Sequence, residues 1–215
     1  MRILFCFILL LFLISCQTSS FKKDTEVFKI NFLNKDANYL LNSIKDKKCS
    51  NIVDVDFFLT NYNVNDISGF DENLLHIASE YCPDNLFETI LSQTININQP
   101  TVFSKTPLAI ALDIKSINKA EKLLKRGADV NTLEFLSNPL FFIPIKQNNI
   151  KTLELLIEYN FDPYLLGFMN QSWKDLNPSI EIKKIMENYQ VIYNQKILLK
   201  NKEKRNFLKN IINAD

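Results

Sequence analysis

Glycine is nearly missing from this chain, with three residues in 215, and histidine and tryptophan occur once each. So few glycines argue against long flexible linkers and leave no glycine-rich loop to cradle a phosphate. A lone histidine, His76, gives metal binding poor support, and no Ser or Cys nucleophile with a second base accompanies it. No carboxylate pair stands at an informative spacing either. An enzyme is therefore not expected, nor a cofactor or a small-molecule substrate. An excess of one charge is lacking too: 25 basic residues face 24 acidic ones, for a net charge of +1. A nucleic-acid partner is not expected from that balance. The many Asn, Lys and Ile residues carry no functional reading.

What is present is a unit of two short helices, clearest in "SKTPLAIALDIKSINKAEKLLKRGADVN" at 104–131. Thr106 can cap a helix, and Pro107 suits the first helical position, where no backbone donor is needed. The apolar pattern of Leu108, Ile110, Ala111 and Leu112 stops at "DIKS", and a second pattern opens at Ala120, Leu123 and Leu124. Gly127 tolerates a left-handed helix end, and "ADVN" carries turn residues. One such pair cannot bury both of its apolar faces, so copies are expected. "NLLHIA" at 73–78 precedes "TPLAIA" by 33 residues, and Asn98 precedes Asn131 by 33. Downstream, "NPLFFI" at 138–143 and "LELLIEYNFDP" at 153–163 repeat the two halves at offsets of 32 and 33. Equivalent helices should therefore begin at 73, 106 and 138. Upstream, "FFLTNYNVN" at 57–65 matches "ILSQTININ" at 90–98, with a degenerate first helix near "YLLNSI" at 39–44.

The chain thus resembles the ankyrin repeat family, whose unit is about 33 residues long with a TPLHxA signature. The match is strongest at 104–131 and good at 71–98, where Leu75 and His76 stand but Asn73 and Leu74 replace Thr and Pro. At 136–164 Asn160 and Phe161 occupy the Gly-Ala places. The resemblance implies an all-α solenoid of four to five helix pairs over residues 26–190, with degenerate terminal repeats, hairpin-like loops along one edge and a protein as partner. It also implies that His76 hydrogen-bonds within and between loops, a structural task shared with Thr106, Pro107 and Gly127.

The first fifteen residues read differently. Arg2 is followed by an unbroken apolar run, Ile3 to Ile14, whose twelve residues would reach about 18 Å as a helix, short of a bilayer core of ~30 Å. "LISC" at 13–16 looks like a bacterial lipobox, so residues 1–15 are expected to be a lipoprotein signal peptide and Cys16 the lipidated residue, with 16–25 as a short tether. That places the protein on the periplasmic or outer-surface side of a bacterial envelope membrane. Cys49 and Cys82 remain, one repeat apart. Stacked helices sit about 8–10 Å apart, beyond the ~7 Å limit for a bridged Cα pair, so two free thiols are expected.

Phe70, Phe103, Phe135 and Phe168 recur three residues ahead of each helix start, at spacings of 33, 32 and 33. They are the candidate partner-binding residues if their rings project from the loop tips; the alternative is that they fold back and seal adjacent repeats. Asn65, Asn98 and Asn131, then Tyr164, fit turn residues whose side chains bond nearby backbone. Leu75, Leu108, Leu140, Ile90, Leu91, Leu123, Leu124, Leu155 and Leu156 are the candidate core.

Past the repeats, Asn177 as cap and Pro178 in the first turn announce another helix, with a stripe of Ile182, Ile185, Met186, Tyr189, Ile192 and Tyr193 and the lone Trp173 ahead of it. Residues 191–215 form a charged amphipathic C-terminal helix. It reads chiefly as a solvated extension, with contact to an anionic membrane or pairing with another helix as alternatives. Function follows at the level of class: a membrane-tethered, non-enzymatic protein-binding scaffold, or alternatively a structural or protective envelope factor that self-associates through its last helix.

Overall fold

A computed structural model describes residues 37–47, 49 and 62–212, with side chains over 41–47, 49 and 62–205. Residues 1–36, which hold the expected leader, Cys16 and the expected tether, lie outside the described residues, as does most of "FFLTNYNVN". The described part is mostly helical, compatible with an all-α fold. It falls into two compact units, up to Gln99 and from Pro100 onward.

In the first unit, α1 (Ala37–Asp46) packs on α2 (Leu74–Glu80), which pairs with α3 (Asp84–Gln93). Asn73 caps α2 because its side-chain oxygen accepts the His76 amide while the His76 ring accepts the Asn73 amide, a reciprocal closure of two orphan donors. Lys45 of α1 reaches Glu72 at 3.1 Å.

Cys49 and Cys82 are joined in a disulfide, with Cα atoms 5.2 Å apart, and the expectation of two free thiols is overturned. Helix-axis spacing was the wrong ruler, because the bridged residues sit in the turns beyond the helix ends. Those turns also differ in shape. Cys49 is left-handed, with φ of 65°, whereas Pro83 disfavours helical backbone at Cys82. The two positions are equivalent in sequence but displaced toward one another in space.

In the second unit, α4 (Pro107–Asp113) pairs with α5 (Ile117–Lys125), and α6 (Phe142–Lys146) with α7 (Ile150–Glu158). First helix packs on first and second on second, α4 against α6 and α5 against α7. Thr106 Oγ1 accepts the Ala109 amide at 3.2 Å, and Pro107 follows as the first helical residue. After α5 the chain reverses at Gly127, φ 96°. The Ala128 amide bonds Leu123 O and the Gly127 amide bonds Leu124 O, the double closure of a left-handed helix end. Asn160, φ 55°, takes the same place after α7. Leu123 and Leu156 are fully buried, and the other candidate core leucines and isoleucines are buried.

Asn138 does not begin a helix, contrary to expectation. Asn138–Pro139 is instead a short strand, β2, paired antiparallel with β1 (Leu133–Glu134), and α6 starts at Phe142. Pro144 explains the delay: in a helix begun at 139 it would owe an amide hydrogen bond to Leu140, which proline cannot make. Starting at Phe142 leaves Pro144 in the first turn, where no donor is needed.

The last helix, α8 (Ile180–Ile212), runs unbroken through 33 residues. Its cap is also displaced from the expected position. Asn177 is left-handed, and the Ile182 amide bonds Ser179 Oγ at 3.3 Å. Ile182, Met186 and Tyr189 are buried, and the Tyr189 hydroxyl donates to Phe161 O at 2.6 Å. Phe161 stacks on Phe141 at 4.4 Å between ring centres, so one aromatic column joins α6, the turn after α7 and α8. Trp173, buried, sits in a short 3-10 turn packed on α6.

Candidate interaction surface

Four tight turns recur at residues 68–72, 101–105, 134–138 and 167–171, at a strict interval of 33 residues. In the first unit Ser68 closes its turn, its amide bonding Glu72 O at 2.8 Å while its hydroxyl accepts the Phe70 and Glu72 amides. In the second unit Thr101 does the same for Phe103 and Lys105. One residue in each is left-handed, Asp71 and Ser104. The turns at 134–138 and 167–171 are built another way. Each carries two consecutive left-handed residues, Leu136 with Ser137 and Met169 with Asn170, a backbone that suits Asn-Gly better than these side chains. The phenylalanine moves forward one place, from third to second residue of the turn. That slip is the source of the 32-residue interval in the sequence.

All four rings face outward. Phe70 is 63% exposed in its unit; Phe103, Phe135 and Phe168 are 58%, 58% and 48% exposed in theirs. Leu136 and Met169 add exposed apolar surface beside them. The Phe168 amide donates to Asn138 Oδ1 at 3.3 Å, tying one turn to the next. Gly167 is required at that junction, because a Cβ there would lie 2.6 Å from Asn138 Oδ1 and 2.8 Å from the Phe142 ring.

A polar cluster sits behind the Phe135 turn. Glu134 Oε1 is buried with no hydrogen-bond partner. Burial, reinforced by Asp113, pushes its carboxyl up to about 7, against the pull of Lys105 and Lys146. Lys105 is itself ion-paired with Asp113.

His76 is fully buried; its Nδ1 accepts the Asn73 amide at 3.0 Å, and its Nε2 lies 2.9 Å from Gln99 O. Both ring nitrogens are thus engaged with backbone groups.

The asparagine column was misjudged in reach. Asn65 Oδ1 accepts the Ile95 amide at 2.8 Å, and Asn131 Oδ1 accepts the Asp162 amide at 2.7 Å, so these side chains stitch one loop to the next. The local turns belong to residues two places earlier. Asn63, Asn96, Asp129 and Asp162 each accept the amide of the residue two ahead, at 3.1, 3.1, 2.8 and 2.9 Å. Their 33-residue spacing was visible in the sequence but hidden by the change from Asn to Asp.

No family model matches the chain. It is similar to an ankyrin repeat protein. Over 102 residues, 47% of the chain, it is 28% identical to mouse "Ankyrin repeat and SOCS box protein 11", of which it spans 31%. The likeness suggests an ankyrin-like family.

Proposed function

We propose that this protein is a non-enzymatic binding scaffold of ankyrin-repeat pairs, held at a bacterial envelope membrane by lipid on Cys16, which captures another protein with the aromatic tips of its loops. The observation that carries the reading is the exposure of Phe103, Phe135 and Phe168 on turns whose backbones are fixed from behind. Aromatic rings on preordered loops bring large apolar area to an interface at little cost in conformational entropy. The envelope location draws support from a source other than the leader: a disulfide between Cys49 and Cys82 fits an oxidising compartment.

Photo-crosslinking in intact cells tests the capture. A benzophenone amino acid placed at 103, 135 or 168 should give a discrete adduct, and one placed at the exposed helical position Glu154 should not. Adducts of equal yield at all four positions would end the reading. The tether is tested apart from it, by metabolic labelling with an alkyne fatty acid: Cys16→Ser should abolish incorporation, and retained label would refute lipidation there.

A further inference from the structure

Helix α8 is anchored along its first half and bare from Ile197 to Arg205. Tyr193 is half-buried, the Asn194 amide reaches the Tyr164 hydroxyl at 2.7 Å and Lys196 Nζ reaches Asn160 Oδ1 at 2.6 Å. From Asn194 through Arg205 every side chain is exposed, although this stretch includes three consecutive apolar residues, Ile197, Leu198 and Leu199. A solvated extension has no use for them.

Helical geometry sorts these residues by side. At about 100° per residue, Val191, Leu198, Lys202 and Arg205 fall within about 60° of one another, opposite the buried line of Ile182, Met186 and Tyr189. Ile192 and Leu199 flank that outer line. Val191, Ile192, Leu198 and Leu199 are all about half or more exposed. The outward face thus carries Val191 and Leu198 over two turns, interrupted by Gln195 and edged by Asn194, and then Lys202 and Arg205. Lys202 and Arg205 belong to this face, Lys200 and Lys204 stand on the far side of the same turns, and Glu203 is the single acid among residues 200–205.

We propose that this outer face of α8 lies on an anionic lipid surface, as a second membrane contact remote in sequence from the leader. The charge selects the occupant. Apolar side chains alone would accept any oily cover, but a second copy packed in parallel on this face would set its own Lys202 and Arg205 beside these, whereas anionic headgroups neutralise them. A bilayer surface also takes Leu198 and Leu199 without needing matching holes, while the stems of the lysines run along the apolar layer and their heads reach the phosphates. Among the described residues no helix is long and apolar enough to cross a membrane; the contact is interfacial. It stands whether or not Cys16 carries lipid.

Hydrogen exchange on the full-length protein tests it, read at the amides of 197–212, with vesicles of mixed phosphatidylcholine and phosphatidylglycerol or of phosphatidylcholine alone. Protection should appear with the mixed vesicles only and vanish at 1 M salt, where the screening length falls to ~3 Å. The K202Q/R205Q variant should lose roughly fivefold in apparent affinity per charge removed. An intact leader would hold the chain on either vesicle, so the readout is local protection rather than co-sedimentation, and failure of the leader leaves the test intact. Equal protection on both vesicles would overturn the proposal. So would protection without vesicles that grows with protein concentration, which would make a second copy the occupant.

Discussion

The helix pairs α4–α5 and α6–α7 lie side by side in one unit and solve the same packing problem with different residues. The first opens on Thr106-Pro107 and closes on Gly127. The second has an uncapped start at Phe142, a proline inside its first turn and Asn160 at the left-handed close. What the pairs share is the buried leucine column and the turn acceptors Asp129 and Asp162. The repeat is thus specified by what it buries and by how its connecting loops turn, and the signature at the helix start is one of several ways to begin.

That comparison is open to test by matched substitutions. Leu123→Ala and Leu156→Ala remove equivalent, fully buried side chains; each should cost ~2–5 kcal/mol in denaturant unfolding, and a difference of more than half between them would show the pairs not to be equivalent. Reducing the bridge through Cys49→Ser and Cys82→Ser acts in the other unit, where about 2–4 kcal/mol should be lost. Gly167→Ala should destabilise by ~1–3 kcal/mol, through its clash with Asn138 and Phe142, whereas Gly127→Ala meets no neighbour within 4 Å and should cost only the ~1 kcal/mol of a left-handed alanine. Thr106→Ala should cost ~1 kcal/mol as a lost cap. A further effect is electrostatic. Because the folded state holds a proton on Glu134 up to about 7, against 4.5 for an ordinary glutamate, folding binds protons in that interval. Stability should be greatest below the lower value and decline as pH rises through the upper one. Glu134→Gln should flatten the decline, and an unchanged slope would assign it to other groups.

Much of this was legible in the sequence. The 33-residue interval and the leucine columns followed from periodicity alone, and Thr106-Pro107 marked its helix correctly because local chemistry and packing agree there. The failures cluster where two local rules compete. Asn138 looked like a cap, but Pro144 forbade the helix that it would have capped. Cys49 and Cys82 looked too far apart, because equivalence in sequence was read as parallel displacement in space and Pro83 had changed one of the turns. Asn177 and Pro178 resembled a helix start, yet Ser179 supplied the side-chain acceptor two residues later. The outward direction of the phenylalanine rings could not be read at all: it depends on backbone bonds from Ser68 and Thr101 and on the left-handed pairs at 136–137 and 169–170, which no apolar pattern encodes.

The central claim is that these rings are held outward for a partner and contribute nothing to the fold. Thermal unfolding of the triple variant F103S/F135S/F168S, compared with crosslinked-adduct yield from a benzophenone at Phe70, Leu136 or Met169, tests it most directly. The account predicts a melting temperature close to that of the natural protein, since exposed substitutions usually change stability by less than ~0.5 kcal/mol each, together with loss of the adduct at Leu136 and Met169. A melting temperature lowered by more than about 8 °C, the mark of several kcal/mol in a domain of this size, would show that the rings seal the repeats and would contradict it.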